Sequence, residues 1–404
     1  MGAGITQMVE YELPKLEVTG SSPVARFDFF KPNFSGGAQI FEILKNDTKS
    51  KARVGIIKTA HGNIETPNFM PVATLANVKT MKKSDLIDAG VDIVISNTYH
   101  LHLRPGEKTI KKLGGLHSFM NWDKPIATDS GGFQAFSLAK IRKIEDEGIL
   151  FSSHIDGSNH FFTPTNVIDI QLSLDSDLIM SLDECPPYPI GEGYAEESLL
   201  RTIKWAKIGK EYFREKETNS KLFGIVQGST YPHLRKRAVE EIVPLEFDGY
   251  AIGGIAVGEP SNLIREMTEF TVPLLPESRP RYLMGVGLPE DIVFAVSQGV
   301  DLFDCVIPTR NGRTGTLYTK KGKINIKNTT YKEDPAPIEE GCGCYTCQHY
   351  SKAYLRHLFI SNELLAQHLG TIHNIYYFTH LMKDIREKIV NGTFWEWSHK
   401  LLKN

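Results

Sequence analysis

Eight apolar, strand-like runs recur between residues 68 and 306, and most are followed by a stretch of helical periodicity. They are Asn68–Thr74, Asp92–Leu101, Pro125–Asp129, Leu178–Asp183, Lys221–Gln227, Gly249–Gly254, Pro280–Gly285 and Asp301–Val306. Unbroken hydrophobic runs alternating with helices mark a parallel sheet covered on both faces, because a half-solvated sheet would alternate apolar and polar residues. Eight such runs predict closure into an α/β fold of the (β/α)8 TIM-barrel type; an open doubly wound sheet is the competing arrangement. The intervening stretches support helices: Leu234, Ala238, Val239 and Ile242 fall on one helical face, and Pro289-Glu290-Asp291 reads as a helix start.

The flanks of this pattern divide the chain further. Residues 1–37 lack periodicity and read as a loose N-terminal extension. Ile40–Leu44 and Val54–Ile57, with the turn residues Asn46-Asp47 between them, read as antiparallel strands capping one end of the barrel. The segment Phe136–Val167 interrupts the alternation and is read as an insertion carrying short strands at Phe151–His154 and His160–Phe162. After Thr319 the character changes: residues 320–374 form a cysteine-bearing appendage, and residues 375–404 return to the barrel domain that spans 38–319. Helical patterns cover Asn362–Leu369 and Ile375–Val390.

Polar residues end these strands. Asp129 closes the third run, Asp183 the fourth, Gln227 the fifth, Gly253-Gly254 the sixth and Gly285 the seventh, while Asp304 sits late in the eighth. One aspartate after a strand is ordinarily a helix cap or turn former. In a barrel, however, catalytic side chains come from the C-terminal ends of several strands, so all six positions converge on one mouth. Crowded carboxylates push their pKa values apart, and a pair about 5 Å apart suits retaining chemistry at an anomeric carbon through a covalent intermediate. Glycosyl transfer is therefore the first reaction class to consider. The glycines of Ser130-Gly131-Gly132-Phe133 and Gly253-Gly254-Ile255 let backbone approach a flat ligand; Phe133 and Met284 offer apolar faces to it, unless they are plain core residues.

Three of the five cysteines crowd into Cys342-x-Cys344-x2-Cys347. Three thiolates at this spacing fit a tetrahedral zinc site of structural type, with a fourth ligand to come from His349, His357, His368, His373 or His380. The same clustering argues against a disulfide framework and for a reducing cytoplasm. No apolar run approaches the roughly 20 residues needed to span a membrane, and no signal pattern opens the chain. The formal charge of −2 gives no global reason to expect nucleic acid. Locally the balance differs: Asp301–Lys332 carries Arg310, Arg313, Lys320, Lys321, Lys323, Lys327 and Lys332 against Asp301 and Asp304. Such a run is commonly a solvated face, but beside the convergent aspartates and the cysteine module it reads as a phosphate-contacting strip.

With these residues in hand the sequence closely resembles the tRNA-guanine transglycosylase (queuine tRNA-ribosyltransferase) family from about Arg53 to Ile389. The resemblance rests on Ser96-Asn97-Thr98-Tyr99-His100, Thr128-Asp129-Ser130-Gly131-Gly132-Phe133-Gln134, Leu182-Asp183-Glu184-Cys185, Gly224-Ile225-Val226-Gln227-Gly228, Gly253–Glu259, Arg281–Gly287 and Phe303–Arg310. It implies that Asp304 attacks the ribose anomeric carbon of the wobble guanosine in G-U-N anticodons (tRNAs for Asp, Asn, His and Tyr), and that Asp129, partnered by Asn97, acts as general base on the incoming 7-deazaguanine. It places Asp129, Ser130, Gly131, Gly132, Phe133, Asp183, Gln227, Gly254, Ile255 and Met284 around the base. It places Gly285, Val286, Gly287, Leu288, Pro289, Glu290 and Asp291, with Thr309, Arg310, Asn311, Gly312 and Arg313, against the anticodon loop. Leu288 departs from the small polar or basic residue expected there.

By the same resemblance His373 is the fourth ligand of one structural Zn2+, and the protein is a cytoplasmic homodimer engaged in queuosine biosynthesis. Cys185 and Val257 look like the bacterial choice, with 7-aminomethyl-7-deazaguanine as the incoming base, because both would crowd queuine. A non-catalytic RNA-binding paralogue and a carbohydrate-active barrel are the alternative readings. Both aspartates are present, against the first, and the basic strip has no place in the second.

Overall fold

The computed structural model describes residues 40–138 and 142–403; the expected extension at 1–37 lies outside them. Strands β1 (Phe41–Asn46), β2 (Arg53–Thr59) and β3 (Gly62–Thr66) form a small antiparallel sheet. The barrel follows with β4 (Asn68–Pro71), β5 (Val94–Ser96) and β6 (Ile126–Thr128). An inserted antiparallel sheet comprises β7 (Arg142–Glu145), β8 (Gly148–Ser152) and β9 (Asn159–Phe162). The barrel resumes with β10 (Leu178–Met180), β11 (Lys221–Val226), β12 (Gly249–Ile252), β13 (Arg281–Leu283) and β14 (Leu302–Cys305). A hairpin, β15 (Thr316–Thr319) and β16 (Gly322–Asn325), opens the appendage.

The eight barrel strands are parallel in the order β4-β14-β13-β12-β11-β10-β6-β5. A parallel bridge between Val72 and Ile95, with the Ala73 N–H donating to the Ile95 carbonyl at 2.7 Å, closes the ring. This is the expected (β/α)8 barrel and excludes the open sheet. The strands are only three to six residues long and almost wholly buried, which explains why they read as apolar blocks.

The small sheet seals the N-terminal end of the barrel. Phe41, Ile57 and Ile64 are buried among Met70, Phe223, Ala251, Tyr282 and Leu302 from the barrel interior. A buried ion pair pins it there: Arg53 meets Asp301, just before β14, with Nε–Oδ1 at 2.9 Å and Nη2–Oδ2 at 2.6 Å. With that end closed, ligands have access from the C-terminal mouth.

Two elements differ from their expected form. The run Asp92–Leu101 is not one strand: β5 ends at Ser96 and a helix begins at Thr98, whose N–H is taken by the Asp129 carboxylate instead of by a sheet partner. The two patterns expected at Asn362–Leu369 and Ile375–Val390 belong to one uninterrupted helix, Leu364–Val390, shared by appendage and barrel. His373 and Asn374 are fully buried within it.

Candidate functional site

Strand ends deliver the polar groups to the mouth. Asp129, directly after β6, is buried; Oδ2 accepts from Asn97 Nδ2 at 2.5 Å and Oδ1 from the Thr98 N–H at 2.8 Å. Burial pushes its carboxyl up to about 6, against the pull of the Asn97 and Thr98 bonds, and the negative charge of Asp304 adds to the rise. The two aspartates are thus close enough to feel each other.

Asp304 sits on β14, half-buried. Both of its hydrogen bonds go to Oδ1, from the Tyr282 hydroxyl at 2.6 Å and the Gly285 N–H at 2.8 Å. Among the described residues Oδ2 has no hydrogen-bond partner. Burial raises the Asp304 carboxyl above its ordinary range while these two donors hold it down. Tyr282, on the neighbouring β13, has its own phenol driven well up by burial and then by the Asp304 charge, so it remains a protonated donor.

Beside the pair lies a small polar pocket. Asp183 is buried, accepting from Ser130 Oγ and from Gln227 Nε2, each at 2.7 Å. Gln227 is itself buried, and among the described residues its Oε1 has no partner, leaving one acceptor for something that enters. Gly254 faces this amide in a left-handed conformation (φ +69°), where a Cβ would lie 2.2 Å from Gln227 Oε1, so no larger residue fits. Behind the loop, fully buried Arg235 donates to the carbonyls of Ser229 and Gly253, and Glu259 accepts the N–H groups of Ala256 and Val257. Ile255 is buried and Met284 half-buried. Phe133 on the helix Gly132–Leu138 is 45% exposed, so it is not a core residue.

The cysteine module is assembled around His373. Its Nδ1 lies 4.0, 3.5 and 3.4 Å from the Sγ atoms of Cys342, Cys344 and Cys347, and its Nε2 donates to the Tyr318 carbonyl at 2.7 Å. That bond fixes the tautomer and leaves the Nδ1 lone pair facing the three sulfurs. The four side chains bring their donor atoms within 4.8 Å of one another and can hold a metal ion.

The residues expected against RNA separate into two groups. Gly285, Glu290 and Arg310 are exposed, and Leu288, Pro289, Asn311 and Arg313 partly so. Val286, Gly287, Asp291, Thr309 and Gly312 are buried in roles internal to the fold. Asp291 holds Arg265 at 2.7 Å and Ser261 at 3.0 Å, and Asn311 is bonded to the Tyr318 hydroxyl. Arg313 carries a buried Nη1 with no partner among the described residues. Lys320, Lys321, Lys323, Lys327 and Lys332 are all exposed, extending the basic strip along the hairpin.

Sequence reasoning passed over Tyr282, Thr98, Arg235 and Glu259. Tyr282 is a polar-tipped residue in the middle of an apolar strand, three positions before Gly285, but so short a strand does not say which way the side chain points; the other three carry no signal in the sequence.

Among the described residues no helix is long and apolar enough to cross a membrane. The family model described as queuine tRNA-ribosyltransferase matches residues 47–404. The queuine tRNA-ribosyltransferase of Caldanaerobacter subterraneus subsp. tengcongensis is 54% identical over 363 residues, covering 90% of this chain and 96% of that protein. Those of Thermodesulfovibrio yellowstonii (51% identical) and Pelotomaculum thermopropionicum (48%) likewise cover 90% of this chain, and 94% and 98% of their own. The barrel with its paired aspartates, the Cys3His module and this likeness along almost the whole chain agree: it belongs to the queuine tRNA-ribosyltransferase family of pentosyltransferases.

Proposed function

We propose that the protein exchanges guanine at the wobble position of tRNAs with G-U-N anticodons for 7-aminomethyl-7-deazaguanine, through a covalent ester between Asp304 and the ribose. The observation that carries this reading is the asymmetry of the carboxylate pair. Asp304 has one oxygen doubly bonded by donors and the other free to attack, whereas both oxygens of Asp129 are held and its carboxyl titrates near 6.

In the first half-reaction Asp304 Oδ2 forms a bond to C1′ as the C1′–N9 bond of guanosine breaks, and the departing guanine takes its proton from the Asp129 carboxyl, which is left ionised. In the second, N9 of the incoming base attacks C1′, its proton passes to Asp129, and the Asp304 carboxylate departs. A group with a pKa near 6 suits that proton transfer at neutral pH. Asp183, Gln227 and the Gly254 backbone read the edge of the base, with Ser130 orienting Asp183. Cys185, buried beside Asp183 and Gln227, narrows the pocket in favour of the smaller precursor over queuine.

A zinc ion suits the Cys3His set. Zn–S bonds of about 2.3 Å and Zn–N of about 2.0 Å in a tetrahedron require S···N edges of about 3.5 Å, which matches Cys344 and Cys347 at 3.5 and 3.4 Å from His373 Nδ1, while Cys342 at 4.0 Å would move in on binding. With four protein ligands the ion would be structural. The exposed arginines and lysines fit the phosphates of an anticodon arm, and a homodimer would let the second subunit help hold one tRNA.

The experiment is incorporation of radiolabelled guanine into unmodified tRNA bearing a G-U-N anticodon. Label should enter with the parent and not with Asp304→Ala; absence of incorporation by the parent would overturn the reading.

A further inference from the structure

At the closed end of the barrel, away from the aspartate pair, two histidines stack. His61 sits in the turn between β2 and β3 and His117 on the helix Gly115–Phe119; their ring centroids are 3.5 Å apart with planes 17° from parallel. Asp177, buried just before β10, lies against both, with Oδ1 3.0 Å from His61 Nδ1 and Oδ2 3.2 Å from His117 Nε2. It also accepts the N–H groups of His61 and Ile126, so its carboxylate is fixed in place.

The hydrogen bond from His61 Nδ1 to Asp177 leaves the lone pair of that ring at Nε2, facing away from the carboxylate. His117 is nine-tenths buried, and among the described residues neither of its ring nitrogens has a hydrogen-bond partner; Nε2 only approaches Asp177 Oδ2. Asp175 follows the helix Pro164–Leu174 in a left-handed conformation (φ 59°, ψ 47°) and is itself exposed. One donor atom each from His61, His117 and Asp175 lie within 4.8 Å of one another. A histidine held from behind by a carboxylate is a common arrangement for a metal ligand, and a buried imidazole with both nitrogens unpartnered is a group that an ion can satisfy; because the two rings are stacked, one must turn for both lone pairs to meet a single ion.

We propose that His61, His117 and Asp175 form a second metal site for a borderline divalent cation such as Co2+, Ni2+ or Zn2+, separate from the Cys3His module. Two imidazoles and one carboxylate suit these ions; Mg2+ and Ca2+ want a shell of oxygens. Three protein ligands leave a coordination position for water. The bound ion ties the β2–β3 turn of the cap to two segments on the outside of the barrel, and so fastens the seal over the N-terminal end.

The test is a titration of the purified holoprotein with Co2+, reading bound cobalt per chain and the thermal midpoint. The parent should take up one equivalent and rise in Tm, since an ion that binds only the folded state stabilises it. His61→Gln and Asp175→Asn should lose that equivalent, or bind it at least about 10-fold to 100-fold more weakly. Both positions are accessible, and Asn tolerates the left-handed backbone at 175, so the variants should fold. No uptake by the parent at millimolar cobalt would overturn the proposal, leaving the trio a hydrogen-bonded staple. Retention of the equivalent at parental affinity in both variants would overturn it as well.

Discussion

The Tyr282 hydroxyl donates to Asp304 Oδ1 at 2.6 Å from the neighbouring barrel strand, and the Gly285 N–H converges on the same oxygen. This leaves one carboxylate oxygen committed and the other open. Tyr282→Phe removes a hydrogen bond to a charged group, worth about 1.5–3 kcal/mol, so kcat should fall about 10-fold to 150-fold with KM for tRNA little changed. Losing a donor to the ionised form raises the Asp304 pKa, so the acidic limb of the rate profile should move to higher pH. A steady-state pH series on parent and variant checks both.

Asp129 makes a second pH prediction. Its carboxyl titrates at about 6 and must be ionised to accept the proton of the incoming base, so attack of free base on the covalent tRNA adduct should rise through about pH 6 to a plateau. Asp129→Ala should still bind tRNA while base exchange becomes slow and loses this limb. The linkage has the opposite sense for stability. A carboxyl whose folded pKa is raised contributes stability only at low pH, which is lost as pH rises through about 6. Thermal melts of parent and Asp129→Ala across that range should show the parent's relative Tm falling with pH.

Gly254→Ala places a Cβ 2.2 Å from Gln227 Oε1 on a left-handed backbone. The conformational cost is about 1–2 kcal/mol, and the displaced amide should raise KM for the base more than KM for tRNA. Gly157 has φ +77° and open space around it, so Gly157→Ala should show no base-specific defect. Parallel KM measurements on the two variants separate pocket from backbone.

Arg53 and Asp301 form a pair with 3% and 0% side-chain exposure far from the mouth. Arg53→Ala leaves a buried charge unpaired and should cost about 3–5 kcal/mol of unfolding free energy. Denaturant unfolding measures this, and the folded variant should keep parental KM for the base.

Metal removal tests the module. His373 lies on the helix that packs against Ile307–Thr314, the helix bearing Arg310 and Arg313, with Gly312 set against Gly370 and Thr371. A chelator should therefore weaken tRNA binding, measured by filter retention, before circular dichroism shows loss of the barrel.

The barrel was legible because each strand is buried on both faces and reads as an apolar block. Its mouth was legible because Asp129, Asp183, Gln227 and Asp304 end those blocks. Tyr282 was not, since a three-residue strand without alternation does not say which way a side chain points. The single helix Leu364–Val390 was read as two because Gly370-Thr371 and His373-Asn374 break its apolar pattern. In the fold these are contact residues: a Cβ at Gly370 would meet the Gly312 carbonyl at 2.4 Å, and Asn374 bonds Pro308, Thr316 and Tyr318. The strand β7 was missed because its residues are exposed or half-exposed and mostly charged, so it depends on pairing with β8.

The central claim is that Asp304 is the nucleophile. Parent, Asp129→Ala and Asp304→Ala proteins, each incubated with G-U-N tRNA and run on a denaturing gel, test it most directly. The expected result is a covalent protein–tRNA band for the parent and none for Asp304→Ala, with tRNA binding under native conditions retained in all three. A band that persists in Asp304→Ala would contradict the assignment.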